Sequence, residues 1–122
     1  MVVSKNKIEE IVAETMANHP EIEGMIVCNA EGEVLFGHTL SATIMHKEVA
    51  EFVVKISTNS SQLVNGLDQG GLKEIDISAE TGFVMIFGDV KLILAAFAGE
   101  SARESLGLVR MALRRALVSM IG

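Results

Sequence analysis

The sequence predicts an α/β protein of the α+β kind, in which helices cover both faces of a sheet built from hairpins. Three patterns carry this reading. Stretches at the start, middle and end repeat apolar residues with the 3.6-residue period of a helix. Residues 82–87 and 90–98 are apolar almost without alternation, as strands covered on both faces are. Short turns bearing glycine and acidic residues separate the strand runs.

Residues 4–18 form the first helix. Ile8, Ile11, Val12, Thr15 and Met16 share one face, and Glu9, Glu10 and Glu14 face water. Asn6 with Glu9, or Ser4 alone, supplies its cap, and Pro20 follows its end. Residues 25–29 and 34–38 are two short strands, joined through Ala30, Glu31, Gly32 and Glu33 as a hairpin. A long helix spans 43–66, with Met45, Val49, Phe52, Val53, Ile56, Ser60, Leu63 and Leu67 on one stripe. Its second half, from Ser57 to Gln62, is small and polar. Such residues are poor helix formers on a free surface, but they let another backbone come close.

Gly70 and Gly71 break the chain. Residues 72–78 form a strand with Glu74 and Asp76 on alternate positions, hence half exposed. The two apolar runs that follow are central strands, turned one into the other at Gly88 and Asp89. Ser101 and Glu104 read as a capping box ahead of the last helix. That helix buries Ala102, Leu106, Val109, Leu113, Ala116, Leu117 and Met120, while Leu108, Met111 and Val118 point away. These three either pack on the first helix or mark an interface, because a monomer seldom leaves a contiguous apolar patch uncovered.

Composition bounds the rest. A chain of 122 residues is one domain's worth, so residues 1–122 are expected to be a single domain, with a core burying roughly 65% of the unfolded surface. With 49% hydrophobic residues and one proline, it is no disordered linker. The one cysteine excludes an internal disulfide framework, and the start carries no signal-peptide pattern, so the cytoplasm is the expected compartment. The longest apolar run, 92–98, is far short of the ~18 residues of a membrane span. Sixteen acids against ten bases give −6, which disfavours nucleic acid. Charge is uneven: the last twenty residues hold all four arginines and one acid, a +3 tail on a chain otherwise at −9. With no Trp or Tyr, stacking platforms for bases are missing.

Catalytic chemistry is not assembled by these residues. No glycine-rich strand-to-helix turn carries a lysine to cradle phosphate. His19, His38 and His46 are scattered, without the spacing of metal ligands, and read as solvated. Cys28, inside an inner strand, reads as a small core hydrophobe. No cofactor is expected. Arg103, Arg110 and Arg114 fall within about 40° of one another on the last helix. They read as a solvated flank, as a docking stripe for an acidic partner, or as a source of an arginine finger.

The element order and three short stretches resemble a Roadblock domain, the dynein light chain type of fold. Gly24-Met25-Ile26-Val27-Cys28-Asn29-Ala30-Glu31-Gly32 is similar to the family's opening, a glycine, an apolar strand and an acidic-glycine turn. Leu92-Ile93-Leu94-Ala95-Ala96-Phe97 is similar to its last central strand, and Leu106-Gly107-Leu108-Val109-Arg110 to the start of its final helix. The chain departs from the family at Thr43-Ile44-Met45-His46-Lys47, where many relatives are alanine-rich.

The resemblance implies a five-stranded antiparallel sheet with the long helix on one face and the two terminal helices on the other. It implies dimers with middle helices side by side and third strands joined into one sheet. It also implies an adaptor that binds a Ras-like small GTPase as scaffold or regulator, or attaches to a motor complex, with no catalytic residue of its own. A small-ligand sensor is the alternative. The small residues of the middle helix and the half-polar third strand point independently to a homodimer, with a heterodimer with a related domain as the alternative. The expected dimer interface holds Phe52, Ile56, Ser57, Ser60, Ser61, Leu72, Glu74 and Asp76. The expected partner-binding set is Arg103, Leu108, Arg110, Met111 and Arg114.

Overall fold

A computed structural model describes residues 4–88 and 91–122. The elements are α1 (Lys5–Asn18), β1 (Ile22–Cys28), β2 (Val34–Thr39), α2 (His46–Gly66), β3 (Glu74–Ala79), β4 (Gly82–Gly88), β5 (Ile93–Gly99), a 3-10 turn (Glu100–Ser105) and α3 (Leu106–Ile121). All five strands join one sheet in the order β2-β1-β5-β4-β3, every neighbouring pair antiparallel. The expected turn at Gly88 and Asp89 falls partly on residues 89–90, outside the described residues.

The two apolar strands sit inside the sheet, as their lack of alternation requires. β5 lies between β1 and β4, and Leu92 to Ala96 are all buried. The side chains divide by parity. Met25, Val27, Met85, Phe87, Leu92, Leu94 and Ala96 pack with Ile8 and Val12 of α1 and Val109, Leu113, Ala116 and Met120 of α3. Ile26 and Cys28 point the other way, and Cys28, Ile86, Ile93 and Ala95 pack with Ala50 and Val53 of α2. The long helix therefore covers one face and the terminal helices the other.

Two helix starts differ from expectation. The middle helix begins at His46, not Thr43. Residues 41–45 are held in a turn by side chains: the Thr39 hydroxyl donates to the Ser41 carbonyl at 3.0 Å, and the Ser41 and Thr43 hydroxyls pair at 2.8 Å. His46 then lies over β2, its Nε2 3.2 Å from Thr39 Oγ1. Gly37 makes room for the ring, since a Cβ there would meet His46 Nδ1 at 2.7 Å. At the other end, the Ser101 and Glu104 box does not form. The chain makes a 3-10 turn, Ala102 is buried against Phe83 and Ala98, and the Ser105 hydroxyl donates to the Ala102 carbonyl. The first helix is capped by Ser4, which accepts from the Lys7 amide.

The α2 stripe is also corrected. Of its eight residues only Val53 is buried, with Ala50 beside it, while Met45, Phe52, Leu63 and Leu67 are each about 60% exposed.

Cys28 is 1% exposed, and burial pushes its thiol from 9.0 to about 11. Native Cys28 should therefore react with a thiol reagent far more slowly at pH 8 than the same residue in denaturant. A raised pKa means the unfolded thiol ionises first. The thiol's contribution to stability is complete below pH 9 and is lost as pH rises towards 11. Equal labelling rates in the two states would contradict the burial of β1.

Candidate interaction surface

Two surfaces carry the expected site residues. The first is the α2 side of the sheet. α2 packs chiefly across β1 and β2, and beside it a cleft of about 390 Å³ opens towards β4 and β3. Val54, Ser57, Ser61, Leu72, Ile86 and Ile93 line it. The Ser57 hydroxyl is buried there with no hydrogen-bond partner among the described residues. A buried hydroxyl without a partner is costly, so the wall of this cleft is incomplete as it stands.

The expected interface residues divide here. Phe52 is exposed on the outer flank of α2, and Ile56, Ser57, Ser60 and Ser61 are half-buried. Ser57 and Ser61 face the cleft and not the flank that carries Phe52, so the small residues admit approach from the sheet side. β3 is an edge of the sheet, as its half-polar pattern requires. Glu74 and Asp76, however, project from the sheet face opposite α2. They share the face of Phe87 and Met85, opposite which they pair, and they reach α3. The residues that do face the α2 side are Ile75 and Ile77, with Ile77 37% exposed. Strict alternation across 74–78 is the signal that identifies them, once it is asked which parity faces the open side.

The second surface is α3. Arg110 Nε donates to Glu74 Oε2 at 2.9 Å and Arg110 Nη2 to Asp76 Oδ2 at 3.0 Å. Arg114 Nη2 donates to Glu74 Oε1 at 2.6 Å. Arg103 pairs with Glu100 and lies 4.9 Å over the Phe83 ring. All three arginines expected to dock an acidic partner are thus engaged with acids of their own chain. Two acids spaced i, i+2 on a strand meet two cations spaced i, i+4 on a helix. Burial of Glu74 opposes its ionisation, but the hydrogen bond to Asp76 and the two arginines outweigh it and hold the carboxyl below the usual range. Burial and the adjacent Glu74 push Asp76 up instead. Leu108 and Met111, named with those arginines, are 65% and 49% exposed, and Val118 is 64% exposed. They do not pack on α1.

Among the described residues no group of three or more His, Cys, Asp or Glu could hold a metal ion, and no helix is long and apolar enough to cross a membrane.

No family model and no curated protein matches the sequence. Solved structures do match. MglB from Myxococcus xanthus aligns with a TM-score of 0.86 at 11% identity, over 98% of this chain and 90% of that one. The gliding protein MglB from Thermus thermophilus aligns at 0.80 and 16% identity, over 98% and 90%. A Roadblock/LC7 domain from Streptomyces avermitilis aligns at 0.72 and 14% identity, over 87% and 91%. The chain has the Roadblock/LC7 fold.

The ion network ties the edge strand to α3, and its strength is testable. Arg110→Ala removes the two guanidinium bonds to Glu74 and Asp76 and should destabilise the fold by about 1–2 kcal/mol. Urea unfolding at low salt and at ~1 M salt checks this. The loss should shrink at high salt, because partly exposed pairs are screened.

Proposed function

We propose that this chain is a non-enzymatic, self-associating adaptor that binds a Ras-like small GTPase as scaffold or regulator. One observation carries the self-association: α2 covers only part of its sheet face. It leaves a cleft with a buried unpartnered hydroxyl on the side of the β3 edge, and an exposed apolar flank with Phe52 on the far side of the helix. A second copy presenting the same surface about a two-fold axis would fill the cleft with its own α2 and continue the sheet from β3. A heterodimer with a related domain would use the same surface. The GTPase is supported by the sequence resemblance and by the fold likeness to MglB and a Roadblock/LC7 domain. The sequence offers nucleotide no phosphate loop, so the chain's role is towards the GTPase and not towards GTP.

Phe52 is the residue to change, because it is exposed and adds nothing to the core of its own chain. Phe52→Asp should leave the circular dichroism unchanged and halve the particle mass in light scattering. Wild-type protein that stays at 13.1 kDa at every concentration would overturn the assembly. Calorimetry with candidate GTPases in GTP and GDP forms tests the partner. A regulator must bind the two forms differently, and a tenfold preference corresponds to about 1.4 kcal/mol. Equal affinity leaves a scaffold. No binding to any small GTPase of the same cell would overturn the adaptor reading.

A further inference from the structure

The sheet face that α1 and α3 cover has an opening of its own. Between α1 and β2, an edge strand, runs a groove of about 450 Å³. Ala13, Met16 and Ala17 of α1 form one wall, and Phe36 and Leu40 the other. Val12 and Ile22, each 1% exposed, form the floor. His38 is the one polar residue among the described residues that line it. An opening of this size with an apolar lining has the dimensions of a binding site.

The charge around it is one-sided. Residues 8–46, which supply both walls, contain seven acids and neither Lys nor Arg. Glu9 stands one turn before Ala13 on the same line of α1, with Glu10 beside it, and Glu21 follows Pro20 of the groove. Lys5, a further turn before Glu9, is the next cation along that line. Of the seven acids only Glu21 has an ionic partner among the described residues, His19. Elsewhere the chain answers its acids with its own arginines, at Glu74, Asp76 and Glu100.

An apolar trough with an acidic border suits an amphipathic partner with basic flanks. The shape selects a helix. Ala13 and Ala17, one turn apart, keep their wall low, so a second helix axis can come near. From Ala13 to Pro20 is about 10 Å along a helix axis, so two turns of a partner fit, with apolar residues at i, i+3 or i+4, and i+7. An added strand is disfavoured, because β2 shifts register against β1 between Val27 and Cys28, which twists that edge away. An anionic membrane surface is repelled by the same acids.

We infer that the groove between α1 and β2 is a docking site for a basic amphipathic helix of another protein. The helix sets its apolar stripe against Met16, Phe36 and Leu40 and its Lys or Arg flanks towards Glu9, Glu10 and Glu21. The site lies on the opposite face of the sheet from the α2 cleft, and it depends neither on self-association nor on a GTPase.

Calorimetry with the whole protein and two synthetic helices tests it. Both are about 18 residues, long enough to be helical alone, with leucines on one stripe. One carries lysines on its flanks and the other glutamates. The lysine helix should bind at least tenfold more tightly, a difference of about 1.4 kcal/mol, and should lose most of that preference at ~1 M salt. Glu9→Lys with Glu10→Lys should narrow the preference. Ala17→Trp fills the groove from an exposed position and should weaken the lysine helix about tenfold or more. Leu40→Ser, on the opposite wall and 67% exposed in the wild type, should weaken it too and serves if the tryptophan disturbs α1. Phe52→Asp should leave the binding unchanged. Equal affinity for the two helices overturns the proposal. So does binding of the lysine helix that survives both groove variants, or that is lost in Phe52→Asp, since the helix then lies on the α2 surface. Failure of self-association or of GTPase binding leaves each of these outcomes as it stands.

Discussion

A five-stranded sheet has two faces to cover, and one helix cannot cover a face. Five strands at about 4.8 Å spacing make a sheet roughly 20 Å across, and a helix with its side chains is about 10 Å wide. On one side of this sheet the requirement is met by α1 and α3 lying together over the core. On the other side, among the described residues, there is only α2, and it lies chiefly over β1 and β2. The cleft, the half-buried Ile75, the exposed Ile77 and the unpartnered Ser57 hydroxyl all follow from that shortage. The apolar flank of α2, with Phe52 and Leu63, lies on the side of the helix away from that cleft and is exposed as well.

β3 resolves the two faces in a single strand. Its odd residues, Ile75 and Ile77, belong to the incomplete side, and its even residues, Glu74 and Asp76, belong to the complete side. There the acids meet Arg110 and Arg114, so α3 holds the edge strand by charge where its apolar stripe no longer reaches. The arrangement neutralises the strand's acids locally. It also accounts for much of the sequence's charge asymmetry, since two of the four arginines of the basic tail answer acids 34 to 40 residues earlier.

What the sequence revealed and what it hid divide along that line. Element order, strand centrality and the core of α3 were legible, because each is written in a local period of two or 3.6 residues. The buried face of α2 was not. Apolar residues occur on two of its faces, and periodicity cannot say which one meets the sheet. Ala50, Ser57 and Ser61 face inward because small side chains let the helix sit close, while the larger Met45, Phe52 and Leu63 are turned out. The role of Arg110 was hidden for another reason. An ion pair spanning 36 residues has no local signature, and an arginine on a helix flank looks solvated until its strand partner is placed beside it. The late start of α2 depended on Thr39 and Gly37 of another element, which no cap rule contains.

The two edges of the sheet are not equivalent, and their difference bears on which one would join a second copy. β2 pairs with β1 through a register that shifts between Val27 and Cys28, and β1 shifts again against β5 between Ile22 and Gly24. Such irregularities add local twist and turn an edge away from further pairing. His46 also packs over Gly37 at that edge. β3 pairs with β4 through six consecutive residues without a shift, and its parity is fixed by the arginines on one side. A regular strand with a specified face resists slippage, because a one-residue slip would turn Glu74 and Asp76 towards the apolar cleft and Ile75 and Ile77 towards the guanidinium groups. The ion network therefore does more than hold β3 in place: it fixes which of its residues face each side of the sheet at that edge.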